Sequence, residues 1–219
     1  MPENNSPDLS FFYDILLTME RIDAPYMIIG AFAGTVYGLT RVTYDIDMIV
    51  DFNDEHIRAL ADAYPLPRYY ADPEMTRNSI RMGIMFNIID SSRGEKADLL
   101  PLTMTSDYVR AFENRVQRTV EIPGVGSFDV WCARLEDVII GKLLAWTEGR
   151  SRKHETDIYD MMVLGYPARK PAKKFLRNLE DMIYWGSNNE GKFRSVPKIQ
   201  EFVRKGRAWV TGCHSKKSD

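Results

Sequence analysis

Two stretches decide how this sequence is read: Tyr26-Met27-Ile28-Ile29-Gly30-Ala31 and, after the thirteen residues 32–44, Asp45-Ile46-Asp47-Met48-Ile49-Val50. The first is a short apolar run halted by glycine, which predicts a buried strand ending in a tight turn. The small-residue stretch AFAGTVYGL (31–39) predicts a short helix packed close to that strand. Residues 43–51 alternate and are rich in β-formers, which predicts a second strand. Side chains on a strand alternate faces, so Asp45 and Asp47 share one face while Ile46, Met48 and Val50 take the other. Same-face neighbours are about 6.5–7 Å apart, close enough for two carboxylates to reach one cation.

Two carboxylates side by side repel, and buried charge persists only when paired or metal-bound. Oxygen-only ligands suit Mg²⁺ or Mn²⁺, which take a few carboxylates plus substrate phosphates. The other reading leaves both aspartates at an exposed strand end. The Gly30-Ala31 turn bears on the choice. Backbone N–H groups at a helix start hold phosphate, and small residues let it approach. A third carboxylate, Asp98, interrupts the apolar, strand-like run Lys96-Ala97-Asp98-Leu99-Leu100.

Working outward, Ser6-Pro7 predicts the start of a helix carrying Phe12, Ile15, Leu16 and Met19 on one face. Asp54 opens a helix to about Ala63, Asp72-Pro73 caps another, and residues 106–114 read as helical. Strands are expected at 85–89 and 96–100, joined by the SSRGE turn, and a hairpin at 116–122 and 127–130 around PGVG. From Arg134 the periodicity is helical, with helices expected near 135–149, 153–164, 170–185 and 197–209. The fold class is therefore α+β, a mixed sheet flanked by helices over 1–132, followed by a helical segment with a basic tail over 133–219.

In the helix beginning ARLEDVIIGKLLAWTEGR, Leu135, Val138, Ile139 and Trp146 form one stripe, and Lys142 sits in its middle. A lysine seldom occupies a core face without a partner. Either its stem is buried and its ammonium snorkels to solvent, or it meets Asp157, which projects between Met161 and Leu164 of the next helix. Such a pair is either buried or turned to the active cleft. Asp160 points further toward solvent.

The pattern Ile29-Gly30-Ala31, a spacer, then Asp45-Ile46-Asp47-Met48 resembles the signature of the polymerase-beta-type nucleotidyltransferase superfamily. Asp98 in KADLLPL resembles the third carboxylate of that signature. Arg41 and Thr43, just ahead of the acidic strand, resemble the small bacterial members. The stretch from Glu136 to Leu164 is similar to the helical motif of AbiEii-like (type IV toxin-like) nucleotidyltransferases. Ala31 departs from the usual Gly or Ser, removing a hydroxyl that often contacts phosphate while keeping the backbone N–H.

The resemblance implies transfer of a nucleoside monophosphate from a triphosphate to an acceptor hydroxyl, with Mg²⁺ or Mn²⁺ as cofactor. It implies Asp45, Asp47 and Asp98 as metal ligands and catalytic residues, with Asp98 alternatively the base for the acceptor. Lys142 and Asp157 take catalytic places, and Gly30, Ala31, Arg41 and Thr43 nucleotide-binding ones. A toxin-like enzyme acting on tRNA, with a cognate antitoxin, is the partner picture implied. A protein hydroxyl or a small molecule such as an aminoglycoside is an equal alternative as acceptor. A different class stays open: an inactive, nucleotide-sensing or partner-binding module of the same fold.

Charge and composition agree with this picture without deciding it. Of 219 residues, 44% are hydrophobic and 27% charged, ordinary for a globular chain. The net charge of −2 divides into −9 over 1–130, −1 over 131–165 and +8 over 166–219. A basic tail either meets a polyanion such as RNA or consists of solvated basic helices. Two distant cysteines, Cys132 and Cys213, exclude a disulfide framework or zinc ribbon and fit a reducing cytoplasm. No run approaches the about 18 apolar residues of a membrane span. The polar, acidic start predicts no secretory signal, so a cytoplasmic location is expected. The absence of a glycine loop with Lys-Ser/Thr argues against a P-loop NTPase.

Overall fold

The computed structural model describes residues 9–39, 43, 45–104, 106–122, 126–149 and 151–165. The turn at 123–125, Arg41 and the helices expected at 170–185 and 197–209 lie outside them. The elements run α1 (Ser10–Arg21), β1 (Tyr26–Ile29), α2 (Gly30–Val36), β2 (Asp45–Val50), α3 (Asp54–Ala63), β3 (Tyr69–Tyr70), α4 (Pro73–Met82), β4 (Phe86–Asp90), β5 (Glu95–Pro101), α5 (Asp107–Glu113), β6 (Val116–Ile122), β7 (Gly126–Cys132), α6 (Leu135–Gly149) and α7 (Arg152–Gly165). The chain divides into two compact units, Met1–Asp157 and Ile158–Asp219. Among the described residues, no helix is long and apolar enough to cross a membrane.

The first unit is an α+β fold built on one seven-stranded mixed sheet of order β3-β4-β5-β2-β1-β7-β6. β2 and β5 are parallel, as are β1 and β7, and the remaining neighbours are antiparallel. The period-two pattern in β2 separates the two faces. Ile46, Ala97 and Ile88 form one cross-sheet row, and Met48, Leu99 and Phe86 the next. All six are buried, with at most 2% exposure. Burying each Ile, Leu, Met or Phe here contributes about 1.5–3 kcal/mol.

Phe11, Phe12, Ile15, Leu16 and Met19 of α1 are buried at helical spacing, as expected. Phe12 meets the Phe32 ring of α2 edge-on, and the Tyr64 hydroxyl bonds Asp14 and Thr18. Among the described residues the helix runs from Ser10, with Leu9 at its cap and no side-chain cap bond; the start expected at Ser6-Pro7 lies outside them. α3 opens at Asp54 and ends at Ala63, as expected, and Asn53 caps it, its side chain accepting from the Glu55 and His56 amides. Asp72 caps α4 by accepting from the Met75 amide at 2.7 Å, with Pro73 at the first turn.

Candidate active site

The face of the sheet opposite the apolar rows carries the charge. Parallel register pairs Asp45 with Lys96 and Asp47 with Asp98, and antiparallel register sets Asn87 of β4 beside Asp98. Register partners point to the same side, so two polar rows lie one above the other: Asp45–Lys96, then Asp47–Asp98–Asn87. Asp98 is buried, and Asp45 and Asp47 are half-buried. The three carboxylates expected to converge do share one face of adjoining strands.

Gly30 explains itself through Asp47. Ile29 is the register partner of Asp47, so the chain turns directly over this carboxylate at Gly30. Gly30 has φ +67°, and a Cβ built there would lie 2.1 Å from Asp47 Oδ2. Glycine is therefore required both by the left-handed backbone and by the close approach of Asp47. Ala31 follows, half-buried in the first turn of α2.

Two of the three carboxylates have distinct hydrogen-bond partners. The buried Thr43 hydroxyl donates to Asp45 Oδ1 at 2.7 Å, so this expected nucleotide-binding residue touches a carboxylate. Lys96 Nζ straddles Asp98, 2.8 Å from Oδ1 and 2.5 Å from Oδ2, and Asn87 also donates to Oδ1. Asp47 is the electrostatically loaded member. Burial first, then the charges of Asp45 and Asp98, push its carboxyl up to about 6, while Lys142 and Lys96 pull in the opposite direction.

Lys142 lies on the buried side of α6, with only 5% exposure, and its Nζ meets Asp157 Oδ2 of α7 at 2.7 Å. The pair is buried and the snorkelling alternative does not hold. The influence of Lys142 on Asp47 means that this ammonium also stands in the field of the sheet carboxylates. α6 packs on α2, the helix that follows Gly30. Asp160, expected to face outward, is half-exposed.

Sequence reasoning missed Lys96 and Asn87. Lys96 stands two residues before Asp98, so the period of two already placed it on the same face. Asn87 joins through a register that no local pattern reveals.

Among the described residues, no three His, Cys, Asp or Glu side chains form a ready metal-binding group. The hydrogen bonds show where the carboxylates are engaged: Asp98 oxygens turn to Lys96 and Asn87, and an Asp45 oxygen turns to Thr43. The donor chemistry nevertheless fits a hard divalent cation, because the three aspartates on one face offer oxygen ligands.

No family model matches the chain, and no curated protein matches it. Solved structures are similar to it at low identity. The solution structure of the antibiotic-resistance factor ANT(2'')-Ia is 15% identical, with TM-score 0.44, over 94% of this chain and 96% of that one. The lincomycin-bound lincosamide antibiotic adenylyltransferase LnuA is 15% identical, with TM-score 0.39, over 74% and 99%. JHP933 from Helicobacter pylori is 16% identical, with TM-score 0.43, over 94% and 90%. At such identities and scores, the chemistry of this chain rests on its own side chains.

Proposed function

We propose that the chain is a divalent-metal-dependent nucleotidyltransferase, moving a nucleoside monophosphate from a nucleoside triphosphate to an acceptor hydroxyl. The observation that carries this reading is the pairing of Asp47 with Asp98, with Asp45 in the next row. Three acids on one face, beside a glycine that admits only backbone, suit a triphosphate better than they suit a structural core.

In the proposed reaction the acceptor oxygen attacks the α-phosphorus, the bond to the β-phosphate oxygen breaks, and pyrophosphate leaves. Asp45 and Asp47 would hold the cation on the triphosphate. Asp98 would join them as a ligand of the cation and orient the acceptor hydroxyl, taking its proton. Mg²⁺ or Mn²⁺, when bound, supplies charge neutralisation of the attacking and leaving oxygens. Gly30 and Ala31 would approach the phosphates through their backbone, with Arg41 and Thr43 nearby in sequence. The Lys142–Asp157 pair supports a role in setting the charge around Asp47.

The net charge of +8 over 166–219 supports a polyanionic acceptor such as tRNA. A cognate antitoxin belongs with that toxin-like reading, and protein hydroxyls and small molecules are the competing acceptors. The test is incubation with each α-labelled triphosphate, Mg²⁺ and a cell extract, following label into RNA, protein or small metabolites. Label in RNA supports the full reading; label elsewhere corrects the acceptor; no label anywhere overturns transfer.

A second reading, an inactive nucleotide-sensing or partner-binding module, draws on Ala31 and on the engagement of Asp98 by Lys96 and Asn87. Isothermal titration of ATP, CTP, GTP and UTP, with and without Mg²⁺, separates the two. Metal-independent binding without turnover favours the module.

A further inference from the structure

Lys96 has two properties that Lys142 lacks. Its side chain is 47% exposed, and its hydrogen bonds among the described residues run to the two oxygens of a single carboxylate, Asp98. Lys142, by contrast, is buried and held by Asp157 from another helix. Lys96 is also the register partner of Asp45, and the charges of Asp45 and Asp47 act on its ammonium along with that of Asp98. Those acids repel one another, and an exposed, flexible four-carbon stem is a counter-ion that can leave.

We infer that Lys96 is an exchangeable positioning residue: it neutralises and orients Asp98 in the metal-free protein and is displaced when a divalent cation takes that carboxylate. The inference rests on the nucleotidyltransferase reading, because it needs Asp98 to meet a cation. No covalent bond changes. The ammonium stays protonated, leaves Asp98, and turns to the solvent that already reaches nearly half of its side chain.

The geometry makes the exchange competitive. Both Asp98 oxygens are covered by Lys96, while Asn87 also holds Oδ1, so a cation approaching Asp98 must break a two-point, charge-assisted contact. Asn87, fixed on β4, keeps the carboxylate aimed during the exchange.

Mn²⁺ binding to the full chain, without nucleotide, is the test, read by isothermal titration and by the electron paramagnetic resonance of free Mn²⁺. Lys96→Met keeps the stem and removes the charge. It should bind Mn²⁺ about tenfold more tightly than the wild type, the size expected for losing one charge-assisted competitor. Lys96→Arg should restore an affinity close to wild type. Without metal, Lys96→Met should melt below the wild type, and saturating Mn²⁺ should narrow that gap. Equal affinities in wild type and Lys96→Met, or weaker binding in the variant, overturn the exchange and leave nucleotidyl transfer standing. No Mn²⁺ binding by any of the three proteins overturns the exchange and the metal-dependent reading together.

Discussion

Asp47 of β2 and Asp98 of β5 are register partners on neighbouring parallel strands, and the backbone of Gly30 passes directly over the Asp47 carboxylate. The relationship places negative charge where burial and two like-charged neighbours oppose it. Asp47 therefore costs stability in the free protein.

Asp47→Asn preserves shape and removes the charge. At pH 7.5 its melting temperature should equal or exceed that of the wild type, with a gain of at most about 3 kcal/mol for a shift of this size. Nucleotidyl transfer and metal-dependent nucleotide binding should both disappear. A clear fall in melting temperature would mean that the carboxylate supports the local structure instead.

The same carboxylate sets a pH dependence. The folded value of Asp47 is raised from 3.8 to about 6, so the folded chain binds this proton more tightly than the unfolded chain. Below the unfolded value both states are protonated and the group costs nothing. The cost grows as pH rises between the two values and is complete above about 6. Asp90 works in the opposite sense: Arg68 first, then Ser92, hold its carboxyl down to about 2. Its contribution is present above the unfolded value and is lost as pH falls through about 2. From these two groups, stability should be greater near pH 5 than at pH 7.5. Denaturant titrations across this range should show the decline from 5 to 7.5 in the wild type and its reduction in Asp47→Asn. An unaltered profile in the variant would reject Asp47 as its source.

Gly30→Ala tests the close approach separately from the backbone. Gly30 and Gly94 have nearly the same φ, +67° and +69°, but a Cβ at Gly94 meets nothing within 4 Å. Gly94→Ala should cost about 1–2 kcal/mol, the strain of a left-handed alanine alone. Gly30→Ala should cost more than that and also displace Asp47, abolishing metal-dependent nucleotide binding. Chemical denaturation and titration calorimetry on both variants check it. Equal costs with binding retained would mean that Gly30 serves only the turn.

What the sequence revealed follows from the range of each physical signal. The facing of Asp45, Asp47 and Asp98 was legible because strand alternation is local, and the sheet keeps all three on one side. Lys142 was legible as an inward residue because it interrupts an apolar stripe, and Asp157 does meet it. Asn87 was hidden because its place depends on pairing between β4 and β5, where a slip of one residue would reverse its face. The edge strand Tyr69–Tyr70 was missed because two residues display no period; only pairing with Ile89 and Asp90 makes it a strand.

The Lys142–Asp157 pair separates packing from chemistry. Both side chains are at least 94% buried, and breaking a buried pair from one side leaves an uncompensated charge. Lys142→Met and Asp157→Leu should each cost about 3–5 kcal/mol. The double variant, Lys142→Met with Asp157→Leu, leaves neither charge exposed to the other's absence, so it should recover most of that loss, giving a strongly non-additive cycle in denaturant unfolding. Additive losses would show that the two side chains do not act as a pair. Transfer activity in the refolded double variant then decides the role of the lysine. Activity lost in a stable protein places the Lys142 charge in the function of Asp47, which it faces electrostatically. Undiminished turnover would reduce the pair to a clasp between α6 and the first turns of α7.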